Sequence, residues 1–263
     1  MEDKNDKVSK SKKIPILQRI SLLIAYACII YFFLWAISNI ENSGIHGTLS
    51  EYVDSNEETV EINNDETNDS NTSIKTYNID LSGLKEKNPD TVAWLKVNGT
   101  NIEYPVVKAS NNDFYLNHNI DKSTSLAGWI FMDYRNNYTL DKNVVIYGHN
   151  IKNGSMFGSL QNVLSDEWHN NVENRYISYV TSDENMVYEV FSTYQIEAED
   201  FYATRTFSNE KRFMEFLNTI QARSNYDYNV KLKSTDNILT LSTCANNNKY
   251  RTVLHARKLD IKE

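Results

Sequence analysis

The sequence predicts a mainly β protein, an antiparallel barrel or sandwich with a few peripheral helices, preceded by a single N-terminal transmembrane helix. Three observations carry this. Short runs of β-branched and aromatic residues recur along the chain, separated by Asn, Asp, Gly and Ser. One segment shows clean helical periodicity, with Phe213, Phe216, Leu217 and Ile220 at i, i+3, i+4 and i+7. Eighteen residues from Ile20 to Ile37 carry no charge, and Ile14 and Ile40 extend that apolar stretch.

The flanks of the apolar stretch give its orientation. Lys4, Lys7, Lys10, Lys12, Lys13 and Arg19 precede it and acids follow it, so the positive-inside bias reads residues 1–13 as a cytoplasmic basic tail. Residues 14–40 then form a membrane anchor, and everything beyond residue 40 lies outside the cell. A cleaved signal peptide is the competing reading, but the small-x-small triplet Ala25-Tyr26-Ala27 lies mid-span, not at the end. Residues 41–73 hold nine acids and no Lys or Arg, so 41–76 reads as an acidic, disordered tether.

The catalytic part is then 77–263. From residue 74 on, 21 basic residues meet 23 acids, so the chain's net charge of −8 belongs largely to the tether. No basic stripe marks this part, which argues against nucleic acid as a partner. An apolar content of 40% excludes disorder throughout.

Within that part, Asp80 or Ser82 caps a short helix ending before Pro89. Val92 to Val97 and Ile102 to Val107 flank Asn98-Gly99 as a hairpin. Further strands are expected at 129–132, 143–147, 176–180, 186–196, 230–232, 238–242 and 252–259. Ser208 is placed as the cap of the amphipathic helix, and Met156, Phe157 and Leu160 point to a shorter helix after His149. There is no metal-spaced His/Cys cluster and no Gly-rich phosphate loop, so neither a metal nor another cofactor is expected.

Two cysteines are present. Cys28 sits in the apolar span and reads as a small membrane-buried side chain. Cys244 ends the run Ile238-Leu-Thr-Leu-Ser-Thr-Cys, where alternation puts Leu239 and Leu241 toward the core and Ser242 and Cys244 on the opposite face. Extracellular cysteines usually pair, and Cys244 has no partner in the external part. Either it links two chains or it is kept as a thiol for chemistry.

A catalytic thiol needs a base or a positive neighbour. His46 falls in the tether, His118 and His169 lie in polar surroundings and read as solvated, and His255 reads as a structural residue in the last strand. His149 follows the buried-type strand Asn143-Val-Val-Ile-Tyr-Gly at its exit into a polar loop, where catalytic side chains commonly sit. Arg251 opens the last strand after the turn Asn246-Asn-Asn-Lys. If those two strands are hairpin neighbours, its guanidinium lies near the sulfur and can hold a thiolate or an oxyanion.

These residues resemble a known family. Thr-Leu-Ser-Thr-Cys244 with Arg251 looks like the sortase signature, and Tyr-Gly-His149 followed by Asn-Ile-Lys-Asn-Gly-Ser-Met-Phe resembles its histidine motif. Asn112-Asp-Phe-Tyr-Leu-Asn, Gly128-Trp-Ile-Phe-Met-Asp-Tyr-Arg-Asn136 and the helix at about 208–224 are similar to class B, over roughly residues 77–260. The resemblance implies an eight-stranded sortase β-barrel that cleaves a C-terminal sorting signal, typically Asn-Pro-x-Thr-like, after its threonine. It implies Cys244 as nucleophile, His149 as acid/base and Arg251, with the backbone N–H of Ala245, at the oxyanion. An amine of a peptidoglycan precursor would accept the acyl group. Asn112, Leu116, Tyr147, Ser242 and Ala245 match substrate-groove positions, although relatives often carry a polar residue where Ala245 stands. Two rival readings are another extracellular cysteine peptidase or L,D-transpeptidase, and a tethered module that dimerises through Cys244. The L,D-transpeptidase pattern has Gly before its cysteine and Arg soon after, whereas Thr243 and Ala245 flank Cys244.

Overall fold

The computed structural model describes residues 20–33, 53–62, 72–245 and 249–260, with side chains for 20–33, 79–243 and 249–260. The chain divides into two compact units, Met1–Thr48 and Leu49–Glu263. In the first, residues 20–33 form helix α1, with its apolar side chains and Cys28 exposed. No helix among the described residues is long and apolar enough to cross a membrane. The rest of the apolar stretch expected at 14–40 lies outside the described residues.

The second unit is built on a closed eight-stranded barrel in the order β10-β8-β7-β3-β4-β5-β6-β9. Its strands are β3 (Thr91–Val97), β4 (Glu103–Val107), β5 (Phe131–Met132), β6 (Asn143–Tyr147), β7 (Tyr176–Val180), β8 (Asn185–Glu197), β9 (Ile238–Ala245) and β10 (Tyr250–Lys258). The barrel is mixed, not antiparallel as the short strands led one to expect, because β4–β5 and β6–β9 pair parallel. Parallel neighbours need long crossovers, and β7, β8 and a helix all lie between β6 and β9 in sequence.

Ahead of the barrel, β1 (Val53–Ile62) and β2 (Thr72–Ile79) pair antiparallel, β1 and most of β2 falling in the segment expected to be a disordered tether. The β-branched residues Thr59, Val60 and Ile62, facing Lys75, Ile74 and Thr72, supply the strand propensity that the acidic composition obscures.

Local chemistry explains the other boundaries. Asp80 caps helix α2 (Leu81–Lys87) by accepting from the N–H groups of Ser82 and Gly83, as expected. Asn98-Gly99 does turn the chain, with Gly99 at φ +68°, but the connection runs on to Ile102 because the Thr100 hydroxyl donates to the Val97 carbonyl. Gly158 to Leu164 form a 3-10 helix, and Asp166–Asn170 form α3.

Asn209, one residue past the expected Ser208, caps helix α4 (Glu210–Ala222), which buries Phe213, Phe216, Leu217 and Ile220. The strand expected at 230–232 is absent. Its Val230 and Lys231 carbonyls accept from the side chains of Gln221 and Arg257, not from a neighbouring strand.

Both faces of β9 are buried, from Ile238 to Thr243. On the face carrying Thr240, a polar chain replaces apolar packing. Asn143 donates to the carbonyls of Tyr202 (3.2 Å) and Thr204 (2.9 Å), so its Oδ1 accepts from Thr240 Oγ1 at 2.7 Å. Having given its proton there, the Thr240 hydroxyl accepts from His255 Nδ1 at 2.8 Å, which leaves His255 Nε2 to accept from the Tyr194 phenol at 2.9 Å. His255 is the structural histidine anticipated from its place in the last strand.

His118 and His169, expected to be solvated, are half-buried and stacked on aromatic rings. His118 stacks on Phe114 with centroids 4.1 Å apart, and His169 stacks on Tyr226 at 4.3 Å. Burial, followed by the Arg175 charge, lowers the pKa of His169.

Burial, with a smaller effect of the Arg223 charge, depresses the His255 pKa from 6.5 to about 3. Below about pH 6.5 the unfolded chain takes up a proton that the folded barrel refuses. This contribution is complete above that pH and is lost as pH falls toward about 3, by at most ~1.4 kcal/mol per unit. His255→Gln should therefore flatten the pH dependence of the urea midpoint between about pH 6.5 and 4. An unchanged slope counts against a neutral buried imidazole.

Candidate active site

Three adjacent strands set the geometry. Strand β9 lies between β6 and β10, parallel to the first and antiparallel to the second. Tyr147 of β6 is level with Ser242 of β9. Beyond that pair, the Gly148 N–H donates to the Ser242 carbonyl (3.4 Å), and Thr243 Oγ1 donates to the Gly148 carbonyl (2.7 Å). His149 is thus carried to the level of Cys244, and Arg251 of β10 stands directly opposite Cys244. The two strands are hairpin neighbours, the condition attached to the Arg251 reading. The side chains of Cys244 and Ala245 lie outside the described residues.

Local packing holds the imidazole. His149 Nε2 lies 2.8 Å from the Leu116 carbonyl, an acceptor only, so Nε2 carries a proton and Nδ1 is the position free to gain or lose one. The His149 carbonyl accepts from the Phe157 N–H at 3.0 Å, folding the loop back over the strand exit. Gly148 permits this approach, because a Cβ there would sit 2.8 Å from the Phe157 ring. On the other side Gly128 holds φ +58°, and a Cβ would meet the Tyr115 carbonyl at 2.5 Å and His149 Cδ2 at 3.0 Å.

A groove of about 380 Å³ opens at this end of the barrel. His149 and Arg251 line it together with Asn112, Leu116, Tyr147 and Ser242, so the structure brings six of the sequence-selected residues to one cavity. The turn after β5 organises two of them. Asn112 Oδ1 accepts from the Tyr134 N–H at 2.9 Å, and the Tyr147 phenol donates to Asp133 at 3.1 Å. Burial, reinforced by the Asp133 charge, raises the Tyr147 pKa, so the phenol stays a neutral donor. Burial pushes the Asp133 carboxyl up, but the Arg135 guanidinium outweighs it and holds Asp133 below its ordinary value.

The opposite wall was not singled out in the sequence. It comes from Ala198, Glu199, Asp200 and Tyr202, between β8 and α4. Ser242 donates to the Tyr202 phenol at 3.0 Å, which ties this wall to the strand bearing Cys244. Among the described residues no group of three or more His, Cys, Asp or Glu is arranged to hold a metal ion.

A sortase domain model matches residues 95–259, spanning the barrel from β3 to β10. The chain belongs to the sortase family. Sortase B of Listeria monocytogenes is 39% identical to it over 166 residues, 63% of this chain and 67% of that protein. A Staphylococcus aureus sortase B-substrate complex superposes with a TM-score of 0.65 at 29% identity, covering 69% of this sortase and 85% of that chain. A sortase B complexed with triglycine matches equally, at a TM-score of 0.65 and 29% identity over 69% and 86% of the two chains. The protein is a class B sortase, a cysteine transpeptidase. This decides against the dimerising module and the unrelated cysteine peptidase.

Gly148→Ala is expected to displace Phe157 or the strand exit and to lower transpeptidation about tenfold to a hundredfold, since misplacing a catalytic group by an ångström costs that much. Steady-state kinetics checks this, with a melting curve to show that the variant is folded. Wild-type turnover would mean that the Gly148–Phe157 contact does not position His149.

Proposed function

We propose that this sortase cleaves an Asn-Pro-x-Thr-like C-terminal sorting signal after its threonine and transfers the new carboxyl end to an amine of a peptidoglycan precursor. What supports the reading is the strand order β6-β9-β10, with His149, Cys244 and Arg251 at one end of the barrel beside a groove of about 380 Å³.

In the first half-reaction the Cys244 thiolate attacks the threonine carbonyl carbon. The carbonyl π electrons move to oxygen, where Arg251 and the Ala245 N–H hold the negative charge. The C–N bond then breaks as imidazolium His149 gives its proton to the departing amine, leaving a thioester. Because Nε2–H is engaged by the Leu116 carbonyl, Nδ1 is the nitrogen assigned this transfer. In the second half-reaction an amine attacks the thioester carbon, His149 takes up its proton, and the C–S bond breaks to regenerate the thiolate and form a new amide.

Asn112, Leu116, Tyr147 and Ser242 line the peptide's path, with Ala245 assigned to it by resemblance. The substrate-bound and triglycine-bound relatives support a peptide donor and an amine acceptor. The apolar stretch at 14–40 serves as a single-pass anchor with its N-terminus in the cytoplasm, and the catalytic barrel works outside the cell. Its support is the uncharged run with basic residues before it and acids after.

A fluorogenic sorting peptide tests the residue roles. Cys244→Ala and His149→Ala should abolish cleavage, and Arg251→Ala should cost about 10²–10³ in kcat. Unaffected turnover in any of them removes that residue's role. The rate should follow a bell-shaped pH profile, because thiol and imidazole must hold opposite protonation states, and a flat profile counts against the pairing. Removal of residues 14–40 should move the protein from the membrane fraction to the soluble one, and retention in the membrane would overturn the anchor.

A further inference from the structure

The groove wall between β8 and α4 carries an ion pair that the reaction scheme does not use. Arg223 ends α4 as its C-terminal cap, three-quarters buried, and donates from Nη1 to Glu199 Oε1 at 2.6 Å. Its guanidinium also lies 4.9 Å from the Phe201 ring centroid and 5.9 Å from that of Tyr194. Tyr194 itself belongs to the buried chain that runs to His255, Thr240 and Asn143. A flat guanidinium can pair with a carboxylate and stack on aromatic rings at once, which a compact ammonium does less well.

Glu199 lines the same groove as Arg251. Across the β8–β10 ladder Ile196 stands opposite Arg251, and Glu199 follows three residues on. Ala198 N–H donates to the Lys249 carbonyl at 3.0 Å, keeping this part of the wall against the start of β10. Glu199 and Arg251 thus line one groove, and Arg251 Nη1 donates to the Tyr250 carbonyl at 3.0 Å.

We propose that Arg223 is a positioning residue for transpeptidation. It sequesters Glu199 on the α4 side of the groove and so keeps that carboxylate from engaging Arg251 at the place where the oxyanion forms. Loss of Arg223 then harms the reaction in two linked ways: Glu199 competes with the oxyanion for Arg251, and its uncompensated negative charge opposes formation of the thiolate. Both effects require the Glu199 charge, so removing that charge should cure the loss of Arg223. This inference rests on the role proposed above for Arg251.

The test is a four-member cycle in the full chain, comprising wild type, Arg223→Ala, Glu199→Gln and the double variant, with kcat/KM for a sorting peptide and a melting curve for each. Arg223→Ala should lose about tenfold or more, the size of a one-unit change in a competing charge equilibrium. The double variant should recover to within about threefold of Glu199→Gln, a coupling well beyond additivity. A double variant that stays folded but as slow as Arg223→Ala overturns the proposal, because Arg223 would then act only through packing. An Arg223→Ala variant as fast as wild type overturns it too. Arg251→Ala, measured alongside, separates the two ideas: wild-type turnover there withdraws the role of Arg251 itself, whereas failure of the rescue leaves that role standing.

Discussion

The position of β9 between one parallel and one antiparallel neighbour is the constraint from which the rest of the site follows. A parallel ladder with β6 makes the two strands exit at the same end of the barrel, so that His149 and Cys244 leave side by side. An antiparallel ladder with β10 brings Arg251 back opposite Cys244 after a short turn. Neither pairing alone assembles three residues that are 95 and seven positions apart in sequence. A slip of one residue in either ladder would turn the affected side chain to the other face, so register is as much a part of the site as residue type.

Register in a barrel is ordinarily held by apolar packing, and on one face of β9 this protein adds a polar lock. Asn143, Thr240, His255 and Tyr194 each satisfy the next, across β6, β9, β10 and β8. Each donor in this chain has one acceptor with matching chemistry. A shifted ladder would leave several of them buried and unpaired, at about 1–3 kcal/mol each. The same chain fixes the Tyr202 and Thr204 carbonyls through Asn143, which extends the lock from the barrel to the groove wall.

Much of this was legible in the sequence because it depends on local pattern. The strands at 143–147 and 176–180 and the apolar face of α4 appear where short β-like runs and 3.6-residue periodicity put them. What was not legible depends on tertiary context. The antiparallel expectation failed at β4–β5 and β6–β9, since strand direction is decided by crossovers and not by residue type. The β1–β2 pair was hidden beneath an acidic composition, although Thr59, Val60 and Ile62 carried its signal. The 230–232 segment has strand-like residues but spends its carbonyls on Gln221 and Arg257.

The site was legible in a similarly uneven way. Cys244, His149 and Arg251 stand at strand ends, which marks them in one dimension. Asn112 and Leu116 came only through likeness to a family, because nothing in a polar loop announces that it lines a groove. Glu199, Tyr202 and Arg223 escaped altogether. Their importance lies in contacts between a loop, a helix terminus and a strand, and each taken singly reads as an ordinary surface residue. Arg251, which lines the groove, and Arg223, which pairs with the groove's Glu199, also differ in a way composition cannot express. Arg251 is placed by a ladder that any β-hairpin would supply, whereas Arg223 is placed by a helix end, two aromatic rings and a carboxylate together. Strand ends and residue types therefore nominate the thiol, the imidazole and the guanidinium, and likeness to the sortase family assigns their roles. Seeing that Glu199 and Arg251 line one groove requires the fold.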